Sequence, residues 1–189
     1  MLPDLSSCRV LFSDIDGTLL SSSGQITPRT LSALRSWTAS GRDLVLCSSR
    51  SRDGILPIAR LYQLSCDLIT LGGGAVYGQG GELLFMKDMP ASLAGQIAAF
   101  MSSSGLPCVW NAYTPSHWYT PDPSDPRVLR EARITGAVPQ QVSDPSFSSV
   151  ETVCKFLLIC DPGQADPVRS AVSAAFPACQ VTCSSSFLV

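Results

Sequence analysis

Asp14 and Asp16 are the residues of this 189-residue chain whose type and spacing point most directly to chemistry. They follow the apolar run Val10-Leu11-Phe12 and precede Gly17 and Thr18. Side chains alternate in direction along an extended backbone, so two acids two residues apart share a direction off the strand's end. Paired carboxylates there suit a hard dication with oxygen ligands, Mg²⁺ above all. One carboxylate can also act as a nucleophile that forms an aspartyl-phosphate. Its neighbour can pass a proton to the leaving group and later take one from water. Gly17 lets the chain turn sharply and keeps the backbone close to a ligand. A hairpin entry would also explain an Asp-Gly pair after a strand. A calcium loop would not, because the positions that need Gly and Glu hold Leu19 and Gln25.

The elements around these acids must bring other groups to them. Val10 to Phe12 reads as a strand buried on both faces of a parallel sheet, whose C-terminal end is where open α/β sheets hold ligands. After the polar loop Ser21 to Gly24, Thr27-Pro28 opens a helix carrying Leu31, Leu34 and Trp37, and Gly41 stops it. Asp43 to Cys47 is a second buried strand, followed by Ser48-Ser49-Arg50-Ser51. A right-handed βαβ unit turns both strand tips the same way and sets Ser48 near Asp14. A hydroxyl beside backbone N–H groups that lead into a helix suits a phosphoryl oxygen, although Ser48 or Ser51 could instead simply cap that helix. Arg50 is a candidate phosphate or substrate contact. A helix from about 53 to 62, a strand at 68–71, the Gly72-Gly73-Gly74 turn and a hairpin (75–77 with 83–85) complete this half. The glycines match neither nucleotide-binding pattern.

From about residue 86 the pattern changes to α+β: a helix at 90–101, strands at 108–111 and 117–120, and a Pro/Asp-rich loop at 121–126. A short helix near 127–133, a strand at 153–160, a helix ending at Phe176 and strands at 180–183 and 187–189 follow. Asn111, His117, Trp118 and Tyr119 are candidate substrate contacts, with the aromatics better explained as core. Eight cysteines form no Cys-x-x-Cys pair and His117 is the only histidine, so buried free thiols are expected rather than a zinc site. A net charge of −2 offers no basic face for nucleic acid. Only 15% of residues are charged, against roughly a quarter in a typical soluble domain. No apolar run approaches the roughly 20 residues of a spanning helix, so no membrane partner is expected. The N-terminus, with Asp4 early, does not read as a secretory leader, and a cytoplasmic protein is the expectation.

Asp14-Ile15-Asp16-Gly17-Thr18-Leu19 resembles the first motif of the haloacid dehalogenase (HAD) superfamily, and Ser48-Ser49-Arg50 resembles its second. The Cof-like branch commonly reads Thr-Gly-Arg at the second motif, so Ser49 is a departure. Gly73-Gly74-Ala75 resembles that branch's Asn-Gly-Ala with the Asn lost. The resemblance implies an α/β fold: part of a HAD-like Rossmannoid parallel sheet (residues 1–85) with an α+β class IIB cap (residues 86–189). It implies Asp14 as nucleophile and Asp16 as general acid/base. Both would serve as Mg²⁺ ligands, with Gly17, Thr18, Ser48 and Arg50 around the substrate. The function implied is a Mg²⁺-dependent phosphatase for a small phosphorylated metabolite, a sugar phosphate by family, working through an aspartyl-phosphate. The family's later Lys and Gly-Asp-x-x-x-Asp segment have no counterpart, since Lys87 and Lys155 match neither position. The chain therefore reads as truncated before the C-terminal core, with Val10 to Phe12 left as a bare sheet edge. The alternative reading is an inactive relative that binds phosphate or a partner without turnover.

Overall fold

The computed structural model describes residues 7–148 and 152–189. Asp4 and the N-terminal stretch on which the leader reading rests lie outside them. The chain divides into two units, residues 1–87 and 88–189.

The first unit runs β1 (Val10–Asp14), α1 (Pro28–Ala39), β2 (Asp43–Cys47), α2 (Arg52–Leu61), β3 (Asp67–Thr70), β4 (Ala75–Tyr77) and β5 (Leu83–Met86). These strands form one sheet in the order β1-β2-β3-β4-β5, with β1, β2 and β3 parallel and the β4–β5 hairpin antiparallel. Helix α1 starts where Thr27 Oγ1 accepts from the Thr30 amide and Pro28 supplies a preset φ. It ends at Gly41, whose φ of +75° is the left-handed conformation that terminates helices. Ile15, Leu44, Leu46 and Ile55 are completely buried and tie both helices to the sheet.

One expectation fails in this unit. Val10 to Phe12 is not buried on both faces: Phe12 is 63% exposed and Val10 is 41% exposed. The reason is positional. β1 is the outermost strand, so Leu11 reaches the core while Val10 and Phe12 face solvent. Among the described residues, β2 is the only strand paired with β1.

The second unit runs α3 (Ala91–Ser103), β6 (Cys108–Tyr113), β7 (Trp118–Thr120), α4 (Pro126–Thr135), β8 (Pro139–Gln141), β9 (Lys155–Cys160) and α5 (Ala165–Ala175). Its sheet order is β8-β7-β6-β9, with β6 paired along its whole length to β9. Trp110, Phe147 and Phe156 form an aromatic cluster with ring centroids 5.9–6.2 Å apart. Phe147 reaches it from a left-handed backbone (φ +56°), a conformation rare for a bulky residue and one that the packing must hold.

Two tail strands expected at 180–183 and 187–189 do not form as strands. Residues 187–189 instead join β9 through a few bonds: the Leu158 amide donates to Val189 O at 2.8 Å and the Cys160 amide to Phe187 O at 2.8 Å. Cys179 and Val181 pack against the core without a ladder, so apolar side chains produced a strand-like pattern in an irregular segment. The short β8, polar in sequence, was not foreseen; it pairs parallel to β7.

Candidate functional site

Three parallel strand tips define the site. In register, Asp14 stands opposite Cys47 and Cys47 opposite Ile69. Ser48 is therefore one residue beyond Asp14's partner, as the βαβ geometry requires. The loops that follow are knitted together by the backbone. The Ser48 amide donates to Ile69 O at 2.9 Å, the Gly72 amide to Ser48 O at 3.0 Å and the Leu71 amide to Arg50 O at 2.9 Å. The glycine turn after β3 thus acts as a brace for Ser48 and Arg50, a role its sequence did not announce.

β1 ends at Asp14, and residues 15–20 form a tight turn closed by Leu19 N to Asp14 O (3.2 Å) and Leu20 N to Ile15 O (2.9 Å). Asp16 thus lies beyond the strand, and the alternation argument that aligned the two acids does not apply to it. Gly17 has φ +79° with open space where a Cβ would stand, so the backbone angle, not crowding, requires glycine.

The turn holds the two acids in different ways. Asp14 is exposed, and its Oδ2 accepts a 3.2 Å hydrogen bond from Thr18 Oγ1. Asp16 is gripped by Arg50, which donates from Nε to Oδ2 at 2.9 Å and from Nη2 to Oδ1 at 2.7 Å. This two-pronged geometry is specific to guanidinium and carboxylate. The Arg50 side chain is only 11% exposed while that of Asp16 is 53% exposed, so the cation is set into the protein and the acid stands at its rim. Buried Ser48 accepts at Oγ from the Arg50 amide at 3.1 Å. Asp16, Ser48 and Arg50 are thereby brought together, and Thr18 touches Asp14 rather than standing apart. The Arg50–Asp16 pair was missed in the sequence; the facing strand tips were its only trace. Burial pushes the Cys47 thiol up, with the Asp14 charge adding to it, so the sulfur beside this site stays protonated.

Helix α2 begins at Arg52, directly after this loop, and its N-cap Ser51 makes no side-chain capping bond. The Gly54 amide donates to Ser51 O at 3.0 Å, and no side-chain cap takes up the Arg52 and Asp53 amides, which can favour an anion. In the second unit, Asn111 is completely buried. It accepts from Trp118 Nε1 at 2.8 Å and donates to Val109 O and Leu157 O. Asn111 and Trp118 are thus core residues, while half-buried His117 stacks on Tyr119 at 5.5 Å.

A family profile described as haloacid dehalogenase-like hydrolase matches residues 11–189. The chain belongs to the haloacid dehalogenase-like hydrolases. A Haemophilus influenzae protein named "Putative phosphatase" is 29% identical over 127 residues, which are 67% of this chain and 48% of that protein. A second protein of that name and organism is 26% identical over 59% of this chain and 41% of its own length. The chain thus spans about half the length of the curated relatives it matches. A haloacid dehalogenase-like hydrolase from Bacteroides thetaiotaomicron superposes with a TM-score of 0.80 at 23% identity, covering 95% of this chain and 69% of that one. A HAD subclass IIB sugar phosphatase superposes with a TM-score of 0.74 at 19% identity, over 95% of this chain and 68% of that one. At these identities the likeness is one of fold, and it shows a HAD-like α/β architecture. No helix among the described residues is long and apolar enough to cross a membrane.

Proposed function

We propose that the protein hydrolyses phosphoric monoesters, with a small phosphorylated metabolite, a sugar phosphate by family, as substrate. The observation that carries this reading is Asp14: an exposed carboxylate at the tip of β1, oriented by Thr18, with Ser48 on the adjoining tip. Asp14 attacks phosphorus, and the leaving oxygen departs with a proton from Asp16. Ser48, Gly17 and Thr18 surround the phosphoryl oxygens, and the α2 amides favour their charge. Arg50 has two tasks. Free of substrate, it grips the Asp16 side chain with both prongs; an incoming phosphoryl dianion competes for the same fork and frees that side chain to turn toward the leaving oxygen. The family resemblance assigns residues 86–189 the part of a cap that selects the substrate.

Mg²⁺ fits the donor set in kind, because Asp14 and Asp16 offer only hard oxygens. The described residues hold no cluster of three or more His, Cys, Asp or Glu side chains. A pair of carboxylates suits an ion that keeps several waters and binds through one or two carboxylates plus substrate phosphate. When bound, the ion neutralises developing charge on the phosphoryl group. The same sparse ligand set, with Asp16 engaged by Arg50, favours a second reading: phosphate binding without turnover.

Hydrolysis of p-nitrophenyl phosphate separates the two. Mg²⁺-dependent, vanadate-sensitive turnover is expected, with Asp14→Asn abolishing it and Asp16→Asn lowering it by about 10²–10⁴-fold. Activity that survives Asp14→Asn removes Asp14 from the mechanism. Phosphate binding by calorimetry with no turnover supports the second reading.

A further inference from the structure

Two thiols in the second unit lie face to face in a way that the phosphatase reading does not use. β6 and β9 are antiparallel, and their register sets Cys108 directly opposite Cys160. The Asp161 amide donates to Pro107 O at 2.9 Å, so Pro107 and Asp161 are a hydrogen-bonded pair of that ladder. The next pair, Cys108 and Cys160, is then of the non-hydrogen-bonded kind. Their amides agree: Cys108 N–H donates to Leu106 O at 2.7 Å and Cys160 N–H to Phe187 O at 2.8 Å, neither to the other. In such pairs the Cα atoms stand about 4.5 Å apart with side chains on one face, within the roughly 4.4–6.8 Å that disulfides span.

We propose that Cys108 and Cys160 form a two-electron redox site that hydrogen peroxide converts to a cross-strand disulfide. A third ligand that would make them a metal site is missing, since the described residues hold no cluster of three or more ligating side chains. The two sulfurs are also unlike. The hydrogen bond from Cys160 holds the Cys108 thiol below its ordinary range, with Arg127 nearby helping against burial and Asp161, whereas Cys160 is pushed up. Cys108 is half-buried and Cys160 buried, so the more acidic sulfur is also the more accessible one. The Cys108 thiolate attacks one peroxide oxygen, the O–O bond breaks, and the departing hydroxide takes a proton to become water. The resulting sulfenic acid is attacked by the Cys160 sulfur; the S–O bond breaks, and its hydroxyl leaves with the Cys160 proton as a second water. The peroxide is reduced and the two thiols are oxidised.

The test uses the full reduced chain, treated with hydrogen peroxide, alkylated after denaturation and mapped by mass spectrometry. The expected result is a Cys108–Cys160 cross-linked peptide pair, with loss of both alkylated peptides and their return on adding dithiothreitol. Cys66, whose buried thiol is pushed up to about 11, remains alkylated throughout. In Cys160→Ser, Cys108 accumulates as a sulfenic acid that dimedone traps; should that variant fail to fold, the wild-type map decides alone. Persistence of both alkylated peptides after peroxide, sulfinic acid at Cys108, or pairing of Cys108 with another cysteine overturns the proposal.

Discussion

At the outer strand of the first sheet, Phe12 and Val10 face solvent, and at the opposite edge Leu83, Leu84 and Phe85 are exposed as well. The outer strand β9 of the second sheet has a similar apolar composition, Phe156-Leu157-Leu158-Ile159, yet Leu157 to Cys160 are all buried. The difference lies in what each edge meets. Residues 187–189 fold back along β9 and bond to Leu158 and Cys160, so the second unit covers that edge with its own chain. Nothing in the described residues of the first unit does this for β1. An apolar strand is therefore buried only if a neighbour arrives; composition makes it suitable for burial without ensuring it. An uncovered apolar edge is also a template for pairing with another chain.

This contrast can be broken by mutation. The largest effect is expected for Trp110→Ala, which removes the centre of the aromatic cluster in the closed sheet and should cost about 3–5 kcal/mol in urea unfolding. Phe12→Ala should cost under about 0.5 kcal/mol, because an exposed ring leaves no cavity. A cost above about 2 kcal/mol at Phe12 would show that β1 is covered after all. Next in size is removal of residues 187–189, which strips the hydrogen bonds from Leu158 and Cys160. It also removes the stacking of Arg130 on Phe187, 4.6 Å from the ring centroid. A loss of about 1–3 kcal/mol is expected, together with new self-association in light scattering. Unchanged stability and solubility would mean that the tail covers nothing of consequence. Phe12→Lys should reduce any self-association of the intact chain, since an edge lysine opposes strand pairing.

The smallest effect is electrostatic. Asp125 caps α4 by accepting from the Arg127 amide, and a side-chain hydrogen bond from Arg127 holds its carboxyl below the ordinary 3.8 against the opposing effect of burial. A depressed native value means the native state binds its proton later than the unfolded chain does. The stabilisation is present above the ordinary value and is lost as pH falls through the native one. Asp125→Asn, which keeps a capping oxygen, should cost about 0.5–1 kcal/mol at pH 7. The deficit should disappear in unfolding measurements below the native value; one that persists in acid would assign the loss to the cap rather than to the ion pair.

The elements of the first unit were legible because their signals are local. Thr27-Pro28 and Gly41 bracket α1, and the apolar run Leu44-Val45-Leu46 marks a strand whose neighbours sit on both sides. The elements whose local sequence misleads depend on partners far along the chain. β8 is polar and exists only because β7 offers a parallel edge, while Val181 has a strand's hydrophobicity and no free ladder to join.

The site divides in the same way. Sequence alone determined that two acids and a glycine follow an apolar strand, and that a serine and an arginine follow the next, because residue type and spacing are written in the chain. Only the tertiary structure decided that Arg50 closes on Asp16, that Thr18 rather than Asp16 attends Asp14, and that Cys108 faces Cys160. Each of those contacts depends on a register or a turn, and registers and turns are set by which strands and loops meet in space.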